Sequence, residues 1–92
     1  MTALATHDVL RLPRGVRMRF DAVRNAHVLL APERTFNLDA TAAAVLNLVD
    51  GQRSIGMIID ELAAQYNEDR AVIEGDVISM LADLVGKRVL ER

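Results

Sequence analysis

The side chains that could do acid–base, nucleophilic or metal chemistry are few. His7 and His27 lack the close helical or loop spacing to carboxylates that a zinc site requires. Ser54 stands where a helix would begin and Ser79 on a helix surface, so spacing gives neither serine a histidine base. The chain has no cysteine and no glycine-rich phosphate loop. We therefore predict no catalytic residue, no metal site and no cofactor, so that the protein is not an enzyme.

Length and composition predict one small globular domain. The chain has 92 residues, of which 51% are apolar and 26% charged. No apolar run approaches the roughly 20 residues that a membrane span needs. Residues 1–14 lack the apolar segment of a signal peptide and are predicted to be a flexible tail, with residues 15–92 forming the domain. We expect a protein of the cytoplasm that does not bind membranes.

The first half of the domain has the pattern of strands. Residues 16–21 alternate apolar and polar side chains, which predicts a half-buried strand with Val16, Met18 and Phe20 facing the core. A turn at residues 22–25 leads to a second strand over 27–31, and a third strand is predicted over 33–38. The short connections favour an antiparallel meander.

The second half changes to helical spacing. Asp39, Ser54 and Asp69 are placed to cap three helices, the first over residues 40–49. Gly51, Asn67 and Gly86 are suited to the positions where these helices end. The predicted inward residues of the three helices are Ala42, Val45, Leu46, Val49, Ile55, Ile58, Ile59, Leu62, Tyr66, Ile73, Val77, Met80, Leu81, Leu84 and Val85. The fold class is α+β, a three-stranded antiparallel sheet followed by three helices, similar to a winged helix-turn-helix.

The third strand is predicted to lie at the edge of the sheet. Pro32 has no backbone N–H to give to a ladder, which places it at a strand end, bulge or edge. An edge strand carries unpaired N–H and C=O groups that an extended peptide can complete. On the third helix, Val72 and Ile78 lie off the apolar stripe, and a close backbone approach would explain Gly75. These features indicate peptide binding, while extra apolar residues that simply complete the core remain the alternative.

A winged-helix nucleic-acid-binding protein is the competing interpretation. The strand region contains Arg14, Arg17, Arg19, Arg24 and Arg34. The third helix nevertheless contains Asp69, Glu74, Asp76 and Asp83, and the chain has a net charge of −2, so DNA phosphates would be repelled at a recognition helix. We therefore expect no nucleic-acid partner. A free sheet edge is compatible with a monomer or a weak dimer.

Several segments resemble the PqqD family of pyrroloquinoline quinone biosynthesis. They are the run LLAPERTFNLD at residues 29–39, Gly51 after the first helix, IIDEL at 58–62 and DVISMLADL at 76–84. The resemblance covers roughly residues 14–92. It implies a peptide chaperone that binds the ribosomally made precursor peptide PqqA and presents it to the radical SAM enzyme PqqE. Related domains are leader-peptide recognition elements.

The resemblance also implies a site. In that family the leader is added as a strand beside the third strand, in a groove closed by the third helix. Carried onto this sequence, the backbone-pairing strand is Arg34, Thr35, Phe36, Asn37 and Leu38. The walls from the third helix are Ile73, Asp76, Val77 and Met80, of which Asp76 would hold a basic or amide group.

Overall fold

Three antiparallel strands are followed by three helices in the computed structural model, which describes residues 3–92. This order confirms the predicted α+β fold. The strands are β1 (Arg17–Asp21), β2 (Ala26–Ala31) and β3 (Arg34–Leu38), and the helices are α1 (Ala40–Asn47), α2 (Ile55–Tyr66) and α3 (Arg70–Gly86).

The sheet has β2 at its centre and β1 and β3 at its two edges. Ala31 pairs with Arg34, so Pro32 and Glu33 form a two-residue turn between β2 and β3. Glu33 has a φ of 63°, the left-handed conformation that the second position of a type II turn requires, with proline favoured at the first. Glu33 therefore belongs to the turn, and β3 begins one residue later than the sequence predicts.

The predicted helix caps are confirmed. The side chains of Asp39, Ser54 and Asp69 each accept a hydrogen bond from a backbone N–H in the first turn of α1, α2 and α3. Asn67 ends α2 in a left-handed conformation, with φ 51° and ψ 44°. The first helix ends at Asn47, two residues before the predicted Val49.

The hydrophobic core lies between one face of the sheet and the three helices. Leu29 of β2, Ile55 and Ile59 of α2 and Leu81 of α3 are all fully buried. Val89 and Leu90 fold back into this core after α3. Tyr66, predicted to point inward, is 47% exposed because it lies in the last turn of α2.

Phe20 lies on the inner face of the sheet, but it is not buried in the core as predicted. Its side chain is 48% exposed, whereas Met18, two residues earlier on β1, packs against the buried cluster. The ring of Phe20 instead packs edge-on against His27, with the ring centroids 5.1 Å apart. The alternation of β1 places Phe20 on the inner face, but near the end of the strand it contacts a neighbour on the sheet rather than the buried cluster.

The segment before β1 is packed on the domain, in place of the predicted flexible tail. Leu10 is only 1% exposed and belongs to the core. The carbonyl of Asp8 accepts a hydrogen bond from the Ile55 N–H at 2.8 Å, and Arg11 and Glu91 exchange two backbone hydrogen bonds. The bond to Asp8 satisfies an N–H at the start of α2 that has no partner within the helix. Residues 1 and 2 of the predicted tail lie outside the described residues.

Candidate functional site

The outer edge of β3 is free within residues 3–92. β3 pairs only with β2, and no other described backbone group bonds to Thr35 or Asn37. Residues that flank a two-residue turn form a hydrogen-bonded pair, and such pairs alternate along an antiparallel ladder. Since Ala31 and Arg34 flank the turn, Arg34, Phe36 and Leu38 bond to β2. The backbone N–H and C=O groups of Thr35 and Asn37 therefore point outward.

The side chains of β3 divide between two faces. Phe36 and Leu38 are half-buried against the core, whereas Thr35 and Asn37 are exposed on the opposite face of the sheet. The Arg34 guanidinium lies 5.5 Å and the Lys87 ammonium 5.8 Å from the centre of the Phe36 ring. The apolar surface beside the free edge is thus bordered by two cations.

The residue just after α3 contacts β3 on the inner side of the sheet. At one end, the Arg34 Nη2 atom donates a 2.8 Å hydrogen bond to the carbonyl oxygen of Lys87, just after α3. Beyond the other end of β3, Thr41 of α1 and Asp76 of α3 line one small cavity of about 90 Å³.

The four predicted residues of α3 have different environments. Asp76 is exposed at the small cavity, and Met80 is half-buried against the core. Ile73 and Val77 are 7% and 3% exposed, so they are mainly core residues, although both also line the cavity. Lys87 was not foreseen as part of this region, because only its approach to Arg34 and Phe36 in space places it there.

Two of the residues first considered for chemistry, Ser54 and His27, make structural contacts in the fold. Ser54 caps α2 by accepting a hydrogen bond from the Met57 N–H at 3.2 Å. His27 packs on Phe20, and His7 lies on the surface before β1. Across residues 3–92, no group of three or more histidine, aspartate or glutamate side chains is placed to hold a metal ion. Nor is any described helix both long enough and apolar enough to cross a membrane.

The two groups with shifted pKa values, Asp50 and Arg70, lie outside the β3 edge. Backbone N–H groups of Arg53 and Gln52 donate to the Asp50 carboxylate and lower its pKa. A side-chain hydrogen bond to Asp60 raises the pKa of Arg70. Both groups are exposed and stabilise the loop before α2 and the start of α3.

Most of the chain matches the model of a known protein family. The model "Coenzyme PQQ synthesis protein D (PqqD)" matches residues 26–90, which include β2, β3 and all three helices. One similar protein is the "Bifunctional coenzyme PQQ synthesis protein C/D" of Methylorubrum extorquens, 60% identical over 91 residues. The match covers 99% of this chain and 24% of that protein, so the chain spans about a quarter of its length.

Two further comparisons cover most of both proteins. A "PqqA binding protein" of Rhodopseudomonas palustris strain BisB5 is 49% identical over 79 residues, 86% of this chain and 78% of that protein. The solution NMR structure of the PqqD truncation of Methylobacterium extorquens PqqCD superposes with a TM-score of 0.86 at 60% identity. It covers 99% of this chain and 97% of the solved one, and is described as a functional, stand-alone recognition element for ribosomally synthesised, post-translationally modified peptides.

Proposed function

The chain belongs to the PqqD family of coenzyme PQQ synthesis proteins, and we propose that it binds the precursor peptide PqqA as an added strand along β3. The observation that carries this proposal is the free outer edge, where Thr35 and Asn37 direct their backbone groups away from the sheet. Main-chain pairing gives affinity in strand addition, and pockets for alternate side chains give specificity. PqqA binding by relatives of similar length supports the choice of ligand.

Alternate side chains of the added strand would meet different surfaces. Those directed to the inner side would approach Phe36 and Leu38, with Met80 and Asp76 on α3 opposite. Those directed to the outer side would approach Thr35 and Asn37. In this proposal Ile73 and Val77 support the wall mainly from within the core, and Asp76 receives a basic or amide group.

The size of the edge fits a moderate affinity. The two outward residues offer about four backbone hydrogen bonds, each contributing roughly 0.5–1.5 kcal/mol. An apolar anchor beside Phe36 adds about 1.5–3 kcal/mol, and association and ordering of the peptide cost at least several kcal/mol. We expect dissociation constants between nanomolar and micromolar, which allow both capture and release.

The proposed role is that of a chaperone without catalytic activity. The bound peptide would be presented to the radical SAM enzyme PqqE in the cytoplasm, by a protein that is a monomer or a weak dimer. We expect modification of PqqA by PqqE to require this chain, and a variant that cannot bind PqqA to fail in the same assay. Equal modification with and without the chain would reject the presentation step.

Peptide binding is tested by NMR titration of the isotope-labelled protein with PqqA. We expect saturable amide shifts concentrated at residues 34–39 and 72–81, together with Lys87. A parallel titration with duplex DNA examines the nucleic-acid alternative. Shifts that appear only with DNA, centred on the arginines of β1, would replace the peptide-binding proposal.

Proline substitutions test whether binding uses the strand edge. Thr35→Pro and Asn37→Pro each remove an outward N–H, and proline is tolerated at edge positions of a sheet. We expect each to weaken PqqA binding at least about tenfold, because a hydrogen bond is lost and the added strand no longer fits closely. Thr35→Val is the matched control, since it changes the side chain and keeps the N–H. Unchanged affinity in both folded proline variants would reject strand addition here.

A further inference from the structure

Arg24 is held in place by the turn between β1 and β2. The Asp21 Oδ1 atom accepts hydrogen bonds from the backbone N–H groups of Val23 and Arg24, at 3.0 and 3.3 Å. The Arg24 Nε atom lies 3.7 Å from Asp21 Oδ2, and Asn25 completes the turn with a φ of 53°. The start of the Arg24 side chain therefore has a defined position.

The guanidinium of Arg24 extends to the edge strand. Its Nη1 atom donates a 3.3 Å hydrogen bond to Oδ1 of Asn37 on β3. Asn37 is opposite Val28 in the register, and Val28 is only 6% exposed although it lies on the face of the sheet opposite the core. Arg24 and Asn37 also line one broad surface hollow of about 700 Å³ on this outer face. A cation from the β1–β2 turn is thus brought beside the free edge.

An added peptide strand would lie next to this cation. Neighbouring strands are about 4.7–4.9 Å apart. The side chain directly opposite Asn37 would share the outer face, with its Cβ about 4.5–5.5 Å from that of Asn37. A guanidinium has several N–H donors, and only one of those on Arg24 is engaged by Asn37. Since Nε faces the Asp21 carboxylate at 3.7 Å, the donors available to a carboxylate on the peptide are those of Nη2 and the second N–H of Nη1.

We propose that Arg24 is a specificity-determining residue that selects an aspartate or glutamate at the peptide position opposite Asn37. This inference rests on the proposed strand addition at β3. It assigns a ligand contact to a residue outside both β3 and α3. A lysine or arginine at that peptide position would be repelled by the same guanidinium.

The other arginines near the sheet do not place a guanidinium beside Asn37 on the outer face of β3. Arg17 and Arg19 belong to β1, which is separated from β3 by the whole width of β2. Arg34 is on the edge strand, but its guanidinium lies over Phe36 and is bonded to the Lys87 carbonyl at the opposite end of β3. Among these four arginines, all within the described residues, Arg24 alone contacts the outward-facing end of β3, through its hydrogen bond to Asn37.

The test uses pairs of PqqA peptides that differ only by glutamate or glutamine at one position, moved in turn along the bound segment. Binding is measured with the wild-type protein and with Arg24→Gln, a conservative change at an exposed side chain. We expect one position where glutamate binds wild type about two- to fivefold more tightly than glutamine, the size of an exposed ion pair. With Arg24→Gln that preference disappears, so the two changes are coupled.

Arg19→Gln is the matched control, because it removes the same charge from the same face of the sheet but has β2 and β3 between it and the added peptide. It should leave the glutamate preference unchanged. Arg24→Glu with lysine at the selected position should recover affinity lost by Arg24→Glu with glutamate. If PqqA binds and shifts residues 34–39 but no position depends on Arg24, this inference is overturned and the proposed function stands. If wild type binds none of the peptides, both fail.

Discussion

The Arg34 side chain joins β3 to the end of α3 by donating a 2.8 Å hydrogen bond to the carbonyl oxygen of Lys87. The Arg34 guanidinium and the Lys87 ammonium also lie 5.5 and 5.8 Å from the centre of the Phe36 ring. The start of β3 is therefore held against the end of α3. Asp76, in the first half of α3, instead lines the small cavity together with residues of α1 and α2.

Arg34→Ala removes the connection between β3 and α3. We expect the free energy of unfolding to fall by about 1 kcal/mol, since a net hydrogen bond contributes roughly 0.5–1.5 kcal/mol and an exposed cation–π contact a similar amount at most. Urea denaturation measures the change. Arg34→Lys retains a cation near Phe36 but loses the guanidinium fork, and should be intermediate. Equal stability of all three proteins would show that the contact does not stabilise the fold.

Leu10→Ala tests whether the segment before β1 is part of the core. Leu10 is 1% exposed, and truncation of a buried leucine to alanine costs about 2–5 kcal/mol. Chemical denaturation should show a loss in this range. Val23→Ala is the control, because Val23 is 96% exposed and should change the unfolding free energy by less than about 0.5 kcal/mol. A similar small effect at Leu10 would return this segment to the predicted flexible tail.

Gly75→Ala should stabilise the protein. Gly75 lies inside α3, and an added Cβ would meet nothing within 4 Å, so alanine gains about 0.8–1.0 kcal/mol of helix propensity. The thermal midpoint is expected to rise. Gly51→Ala provides the opposite case, since Gly51 has a φ of 79° and alanine is strained there. Destabilisation by Gly75→Ala would contradict an open environment at this position.

The contribution of Asp50 to stability should depend on pH. The Arg53 N–H and then the Gln52 N–H lower the pKa of Asp50 from its ordinary value of 3.8 in the folded protein. A lowered folded-state pKa stabilises the native state above the unfolded-state pKa, and this contribution is lost as the pH falls through the folded value. Asp50→Ala should therefore be less stable than wild type near neutrality, with a smaller difference in acid. Urea denaturation across pH is the measurement, and a pH-independent difference would contradict the expected linkage.

Much of the fold could be predicted because its signals are local. Asp39, Ser54 and Asp69 act within one turn of their own helices, and Asn67 has a side chain that tolerates the left-handed conformation. The position of Pro32 likewise indicated the boundary of β3, since a proline has no N–H to donate to the sheet and so marks the end of a strand. These residues determine structure among neighbours that are close in sequence.

The features that could not be predicted depend on distant partners. Phe20 fits the alternation of β1, but its exposure depends on how far the buried cluster extends beneath the sheet. Leu10 has no periodic pattern around it, and its burial depends on backbone bonds from neighbouring residues to α2 and to Glu91. All residues of β3 in the candidate site were predicted from the sequence. Which residues of α3 are buried (Ile73 and Val77) and which are exposed or half-buried (Asp76 and Met80) depends on how the helices pack, so it could not be predicted.

The paired backbone bonds between Arg11 and Glu91 have a consequence for folding during synthesis. They join positions at opposite extremes of the described chain, a contact of very long sequence separation that forms slowly. Leu10 completes the core together with Val89 and Leu90, which leave the ribosome much later. Leu10 therefore cannot make all of its native contacts until Val89 and Leu90 have been synthesised, so closure of the core waits for the segment after α3.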